Sequence, residues 1–351
     1  MKISGVNITP LVAANGATTP VHALVELNCD TELTGLAIVA HEAAPSVHAL
    51  VRELLTGADP RATMGWWERM GAALLQPDAA AGRARAALDI AMWDLKAKAN
   101  GEPLWKTLGG TRCRMNAHLA WDGPADGSRM TDWFRRMHAG TGIRSGSLPA
   151  TGDPDADVAA MAEVRAVLHA TVPQSSLMLH FDGTGWPGEA VRHIRALESH
   201  VDLTWVRSPV RRGDFQAARR LGDSIRAAVC IGRGLTGMEA YLPYLQHYAA
   251  NVIELDIAVL GVSGCIQMAD AAFGFELPVV LSDYAGHLPV QLFPAFATAT
   301  SVEFAYRTCT MAGPSPAVSF EDGRVLAGTE PGNGLSIDRA ALAAATTGAS
   351  R

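Results

Sequence analysis

The sequence predicts an α/β protein, a TIM-type (β/α)-barrel with an N-terminal α+β capping domain that the C-terminal tail completes. Eight short apolar or β-branched runs recur after the first part of the chain, and helix-like stretches separate them. The runs are spaced by about 22 to 35 residues, which is the length of one βα unit. A chain of 351 residues is longer than one such barrel, so a second, smaller domain is expected.

The first part of the chain has the pattern of strands followed by one long helix. Apolar and polar residues alternate in VHALVELNCD and TGLAIVA, which is typical of antiparallel strands. The Ala-rich segment from Ala79 to Lys98 has apolar residues at three- and four-residue spacing, and Asn100-Gly101 ends it. We therefore predict an α+β capping domain over residues 1–112.

The predicted barrel domain covers residues 113–328. Its strand candidates begin at Met115, Ile143, Leu177, Leu203, Ala227, Asn251, Pro278 and Ser301. Gly146 dilutes the second candidate and the eighth lacks a clear following helix, so seven regular units remain an alternative. Residues 329–351 carry a small turn and helix of their own and are predicted to return to the cap.

Composition limits the partners and the chemistry. A net charge of −6 with scattered arginines offers no basic field for nucleic acid. The N-terminus has no signal or transit pattern, and no run of about 18 apolar residues suggests a membrane partner, so we expect a soluble cytoplasmic protein. The lysines all lie within the first 106 residues, so the barrel offers no lysine base.

Several motifs carry a resemblance to a known family. The helix AALDIAMWDLKAKANGEPLWKTLGG, the segments LHFDGTGWPGEA, LTWVRSP, AAVCIGRGL and NVIELDIAVLGVSG, and the closing GNGLSID are similar to those of the mandelate racemase branch of the enolase superfamily. This resemblance covers nearly the whole chain. It implies a small carboxylate bound to magnesium, removal of its α-proton by a base, and collapse of the enolate by racemisation, elimination or cycloisomerisation. It also implies a homo-oligomer, either a dimer or an octamer.

The resemblance implies three carboxylate ligands at the ends of successive strands, but this chain keeps only one. Asp182 holds the first position, whereas Arg207 and Arg233 replace the other two. A guanidinium group only donates hydrogen bonds, so neither arginine can ligate a cation. One carboxylate and two arginines sum to +1. We therefore predict a site that binds the substrate carboxylate with no metal or other cofactor, with a structural ion-pair cluster as the alternative.

The candidate bases and acids lie on the last three strands. Asp256 on the sixth strand is the first candidate for general base or its orienter, unless it binds backbone or a neighbouring arginine. On the seventh strand the family's catalytic histidine position falls at Ser282 or Asp283, and the following loop could return His287 to the site. An exposed loop histidine is the alternative for His287. Tyr284 in the same loop is a candidate substrate contact.

Two further residues complete the predicted site. On the eighth strand Glu303 resembles the acid that stabilises the enediolate, and a pair with Arg307 is the alternative. His180 lies two residues before Asp182, so both side chains are expected to face the barrel interior. His180 is either a substrate contact or a satisfied core histidine.

Three functions follow from these residues. The first is a metal-independent lyase or isomerase that acts on a small carboxylate, with Arg207 and Arg233 stabilising the anion. The second is a non-catalytic, carboxylate-binding protein. The third is a new cyclisation or elimination that needs no metal-bound enolate.

Overall fold

The computed structural model describes residues 1–12, 20–74, 78–123, 127–168, 176–282, 287–306 and 311–348.

The cap pairs a three-stranded antiparallel sheet with helices. The strands are β1 (Ile3–Leu11), β2 (His22–Cys29) and β3 (Thr34–Ala40), in the order β1-β2-β3. The helices are α1 (Ala44–Leu50), α2 (Thr63–Ala73), α3 (Ala79–Ala99) and α4 (Leu104–Thr107). One turn of π-helix, Val51–Leu55, extends α1. Asp78 caps the N-terminus of the long helix α3, because its side chain accepts a hydrogen bond from the backbone N of Ala81 at 2.7 Å.

The second part of the chain forms a closed barrel of eight parallel strands. They are β4 (Ala117–Ala120), β5 (Gly146–Pro149), β6 (Leu177–His180), β7 (Leu203–Arg207), β8 (Ala228–Ile231), β9 (Val252–Asp256), β10 (Val279–Ser282) and β11 (Ala299–Ala305). Each strand pairs with the next, and β11 pairs with β4 to close the ring. The predicted fold class is confirmed with eight strands, including the diluted second one.

Helices surround the barrel. They are α5 (Gly127–Thr141), α6 (Pro154–Leu168), α7 (Pro187–Glu198), α8 (Phe215–Gly222), α9 (Met238–Gln246), α10 (Ile257–Gly274) and α11 (His287–Leu292). The chain beyond β11 forms β12 (Pro314–Pro316), β13 (Val318–Glu321), β14 (Arg324–Ala327), β15 (Leu335–Ile337) and α12 (Arg339–Gly348). A β13-β14 hairpin thus follows the last barrel strand, which explains why the sequence shows no clear helix there.

A buried carboxylate joins the cap to the barrel. Asp89 of α3 accepts hydrogen bonds from the backbone N and the Oγ of Ser263 in α10, at 2.8 and 2.6 Å. Trp93, one turn further along α3, donates from its indole nitrogen to the same hydroxyl at 2.9 Å. Helix α10 breaks at Gly261, where φ is +61°, and a Cβ there would lie 2.6 Å from Asp89 Oδ2. Only glycine therefore fits this contact.

The C-terminal segment packs on the cap. Leu335 and Leu342 share a buried cluster with three cap residues, Leu11, Leu24 and Ile38. In addition, Asp94 of α3 accepts from the backbone N of Asn333 at 2.7 Å. The domain limits 1–112, 113–328 and 329–351 remain predictions.

One helix in the described ranges, α10, is long and apolar enough to cross a membrane by length and composition alone. However, 61% of it is buried inside the protein, against α3 and the barrel. The core helix of a globular protein has the same properties.

Candidate active site

The interior of the barrel is filled in two layers of different chemistry. Alternate residues of parallel strands point inwards, so each strand contributes one residue to each layer it crosses. The layer nearer the N-terminal ends of the strands is an apolar cluster of Met178, Trp205, Cys230, Val252 and Val280. Two residues further along the same strands, polar and charged side chains replace it: His180, Arg207, Glu254 and Ser282.

Arg207 is the most buried cation of this upper layer. It is the last residue of β7, is only 3% exposed, and contacts two carboxylates. Its Nε lies 2.9 Å from Oε2 of Glu254 on β9, and one terminal nitrogen donates to Oε2 of Glu303 on β11. Both glutamates are closed to solvent. Arg207 therefore links three strands across the barrel.

Arg233 contacts the same two glutamates from the loop after β8. Its NH1 donates to Oε1 of Glu254 at 3.0 Å and to Oε1 of Glu303 at 3.3 Å. Unlike Arg207, its side chain keeps 36% exposure. Ser282 adds a hydrogen bond to Glu254 Oε1 at 2.7 Å. We call Arg207, Arg233, Glu254 and Glu303 the charge quartet.

The charge quartet is neutral as a unit, since two arginines (+2) face two glutamates (−2). Burial would raise the pKa of Glu303, but the positive charges of Arg207 and Arg233 outweigh it and hold that pKa well below its usual value. Burial would likewise lower the pKa of both arginines, yet the two glutamates raise it. Glu303 and the two arginines are therefore ionised, and their opposite charges neutralise one another.

Two histidines flank the charge quartet. His118 of β4 shares a 2.9 Å hydrogen bond with the Oγ of Ser301 through Nδ1, and its Nε2 lies 3.5 Å from Glu303 Oε2. His180 of β6 shares a 3.1 Å hydrogen bond with the Oγ of Ser147. Burial, and next the charge of Arg207, lower the pKa of His180 to about 3. His180 is thus a neutral interior histidine with a hydroxyl partner.

Asp182 does not belong to the charge quartet, which corrects the predicted charge count. Its Oδ1 accepts hydrogen bonds from the backbone N and the Oγ1 of Thr184, at 2.9 and 2.5 Å. These bonds lower the pKa of Asp182. The residue lies beyond the end of β6, where a local turn satisfies it. The partners of Arg207 and Arg233 are the two glutamates instead, and their site has no net positive charge.

Asp256 ends β9 and supports the loop that carries Arg233. Its Oδ2 accepts a hydrogen bond from the backbone N of Gly234 at 3.0 Å. The side chain is 8% exposed. Asp256 and Glu254 are two residues apart on one strand, so they face the same side. The structure thus places Asp256 beside the charge quartet with a backbone partner, the alternative that the sequence left open.

His287 is buried, which corrects the alternative of an exposed loop histidine. It is the first residue of α11 and is 2% exposed. Burial lowers its pKa to about 3, so the ring is neutral at physiological pH. Asp283 and Tyr284, the other predicted residues of this segment, lie outside the described residues, as does Arg307. In the described part of the chain the partners of Glu303 are Arg207, Arg233 and His118.

Sequence reasoning missed four residues of this site: Ser147, Glu254, Ser282 as a hydrogen-bond donor, and His118. Only one of these four residues, Glu254, could have been found from the sequence pattern. Glu254 is an acid within the apolar run NVIELDI, and a buried acid requires a cationic or hydrogen-bonding partner. His118 and the serines carried no comparable signal, because single polar residues in short strands are common.

A closed parallel barrel with charged side chains gathered where its strands end, under an α+β cap, has the architecture of barrel enzymes whose active sites lie at the C-terminal face. Residues 129–341 match the family model described as Enolase C-terminal domain-like. Residues 4–109 match the Mandelate racemase / muconate lactonizing enzyme, N-terminal domain. The chain belongs to this branch of the enolase superfamily.

The relatives are lyases and isomerases. D-galactonate dehydratase of Ralstonia nicotianae is 26% identical over 305 residues, which are 81% of this chain and 75% of the relative. Two solved structures share the fold. A racemase from Streptomyces coelicolor A3(2) with bound magnesium has a TM-score of 0.82 and 21% identity, over 97% of this chain and 99% of the other. L-Talarate dehydratase from Polaromonas sp. JS666, complexed with magnesium and L-glucarate, has a TM-score of 0.81 and 24% identity, over 97% and 96%.

These neighbours overturn the prediction that no cofactor belongs to this kind of site. Both solved enzymes hold magnesium. The prediction of a site without a cofactor had been based only on Arg207 and Arg233, the two substituted ligand positions of this chain.

The side chains at the corresponding strand ends of this chain do not provide the ligands that this ion requires. Magnesium prefers six hard oxygen ligands in an octahedron. Asp182 supplies oxygens, although Oδ1 already accepts two hydrogen bonds from Thr184. Arg207 and Arg233 supply only donors, and their own carboxylate partners are engaged by them. No group of three metal-ligating side chains occurs among the described residues. The described residues therefore do not fit the ion.

Proposed function

We propose that the chain is a lyase or isomerase that acts on a small hydroxy-carboxylate at the C-terminal mouth of the barrel. The relatives named above are a dehydratase of galactonate, a racemase, and a dehydratase complexed with glucarate. Such reactions begin with loss of the proton α to a carboxylate. They need one group that binds the carboxylate and one base that takes the proton.

The observation that carries the proposal is the difference between the two arginines. Arg207 is buried and its guanidinium group is paired with the two glutamates, so its role is to fix their positions. Arg233 uses NH1 for the same glutamates but keeps over a third of its side chain exposed. It also lines a small hollow of about 20 Å³ together with Asp182, Ser208 and Tyr244. Arg233 is therefore the carboxylate-binding residue, and Arg207 is a positioning residue.

Asp256 is the proposed base. Its Oδ2 is occupied by the backbone N of Gly234, the residue next to Arg233, and its Oδ1 is the oxygen that would accept the proton. In the first step the α C–H bond breaks, the proton moves to Asp256, and the electron pair delocalises into the carboxylate. Arg233 stabilises the charge that develops there. His287 takes no part in this scheme because it is buried and neutral.

Deuterium exchange tests this assignment. The protein is incubated in D₂O, in buffer containing magnesium, with galactonate, glucarate or mandelate, and α-exchange is followed by proton NMR. We expect exchange with the parent, its loss in Asp256→Asn, and a raised KM in Arg233→Gln. Asp223→Asn is the matched control, since Asp223 pairs with Arg219 on the surface of α8. Exchange that persists undiminished in Asp256→Asn would remove Asp256 from the role of base.

A second function, binding of a carboxylate without turnover, is favoured by the neutrality of the charge quartet. A neutral, buried cluster is satisfied without a ligand and stabilises no developing charge. This function predicts that carboxylates raise the melting temperature while no exchange occurs. Ligand at about 100 times its dissociation constant would add about 2.7 kcal/mol to the free energy of unfolding.

We also propose that the protein is cytoplasmic and forms a homo-oligomer, a dimer or an octamer. The support is the family to which the chain belongs. Light scattering on the purified protein measures the mass, and a single species at 37.0 kDa would contradict the oligomer.

A further inference from the structure

A further cavity lies between the cap and the C-terminal rim of the barrel. It encloses about 400 Å³, within the range of small-molecule sites. Helices α2 and α3 form its cap side, and the loops after β7 and β8, with the first turn of α10, form its barrel side. Its walls include the apolar Trp67, Leu74 and Val259, and three arginines from both domains: Arg83, Arg85 and Arg212.

Arg85 is a half-buried cation that forms no ion pair with a carboxylate of the described residues. Its guanidinium carbon lies 3.4 Å from the centre of the Trp67 ring, and Nε and NH2 donate to the backbone O of Trp67 at 3.0 and 2.8 Å. No ion pair of Arg85 occurs within the described ranges. Burial lowers its pKa, and the more distant Glu68 and Asp89 compensate only in part. The arginine remains charged, so this wall of the cavity is positive.

Arg212 provides a second cation from the barrel side. It is exposed, and its terminal nitrogen lies over Gly234, where a Cβ would approach it to 2.9 Å. Neither a hydrogen bond nor an ion pair of its side chain is found in the part of the chain that the structure describes. Arg85 and Arg212 thus border one cavity from opposite domains, and neither forms an ion pair with an acid among the residues that the structure describes.

The third arginine of the cavity wall, Arg83, has an acidic partner. Arg83 pairs with Glu42, although its Nε is buried and has no hydrogen-bond partner among the described residues. The wall also contains Asp78. The wall itself carries three arginines (+3) and Asp78 (−1), while Glu42, which pairs with Arg83, lies outside the wall. A positive, partly enclosed cavity of this size favours an anion that accepts several hydrogen bonds.

We propose that this cavity binds the oxyanion of a small molecule, a phosphate ester or a carboxylate, between Arg85 of the cap and Arg212 of the barrel. The bound anion bridges the two domains. Because Arg212 lies over Gly234, next to Arg233, occupancy also stabilises the loop that carries Arg233. The site does not include the charge quartet, although Arg212 also lines the small hollow beside Arg233.

Calorimetric titration with inorganic phosphate and with citrate, at fixed ionic strength, tests the proposal and separates the two sources of oxyanion. We expect saturable binding of at least one of them. Arg212→Gln should weaken it at least tenfold, because an exposed cation is lost without a change of packing. Arg220→Gln, an exposed arginine on α8, is the matched control and should bind as the parent does.

A second variant fills the cavity without removing charge. Gly82 lies in α3 on the cavity wall and has nothing within 4 Å of a Cβ position, so Gly82→Leu should fold and abolish binding. Gly65→Leu is its control, since Gly65 is an exposed residue of α2 that is equally open. Absence of saturable binding, or parental affinity in both Arg212→Gln and Gly82→Leu, would overturn the proposal. Loss of binding in Arg233→Gln alone would also overturn it, by assigning the anion to the barrel mouth.

Discussion

Replacing Glu254 by glutamine removes one of the two negative charges that neutralise Arg207 and Arg233. The carboxylate lies 2.9 Å from Arg207 Nε, receives Arg233 NH1 at 3.0 Å and the Ser282 hydroxyl at 2.7 Å, and is fully buried. In Glu254→Gln the charge quartet changes from neutral to +1, and the new amide nitrogen faces donors. Breaking a buried pair by removing one partner costs about 3 to 5 kcal/mol.

That loss is large compared with a total stability of about 5 to 15 kcal/mol for a folded protein. Urea unfolding followed by tryptophan fluorescence measures it as a lower midpoint at unchanged slope. Glu321→Gln is the matched control, because Glu321 pairs with Arg114 on the surface, where a pair contributes about 0 to 1 kcal/mol. A loss below about 1 kcal/mol in Glu254→Gln would refute the argument that the charge quartet is a tightly coupled buried unit.

Three further predictions concern the cap and its contacts. Burial raises the pKa of Asp89 to about 7, so the folded state holds a proton that the unfolded state releases. The free energy of unfolding therefore falls by about 4 kcal/mol as pH rises from about 4 to 7. Urea unfolding at pH 5 and pH 8 should show this pH dependence in the parent and its loss in Asp89→Asn, and an equal pH dependence in both proteins would contradict it. Gly261→Ala should cost at least about 2 kcal/mol through strain at φ +61° and contact with Asp89, whereas Gly274→Ala in the same helix should cost little in the same assay. Lys98→Met should lower the melting temperature, because Asp94 is fully buried and Lys98 Nζ lies 2.5 Å from it, while Lys106→Met, at an exposed pair, should not.

The barrel was predictable from sequence because its strands are buried on both faces. Runs such as LMLHFD and PVVLSD begin with consecutive apolar residues, and the βα spacing of the strands is kept even where Gly146 interrupts the pattern. The cap helix α3 was equally predictable from its spacing and its glycine stop. These features depend on residues that are close together in the chain, so the sequence pattern shows them directly.

The partners inside the barrel were less predictable because they come from distant strands. Arg207 meets Glu303 across 96 residues of chain, and no local pattern connects them. Asp182 was assigned to the arginines because it shares a strand-end position with them, but the nearby Thr184 competes for it. The charge count therefore failed for a specific reason: it included the one carboxylate that is satisfied locally and omitted the two that are not.

The charge quartet also constrains how such a barrel can change in evolution. A single substitution of Arg207 or Arg233 by an acid would move the cluster two charges from neutrality and leave three carboxylates against one arginine in a largely buried space. Intermediates of that kind are unstable, so the two arginines and two glutamates form a set that mutation must exchange together or in a compensated order. The coupling of these four buried charges therefore hinders stepwise substitution at their positions.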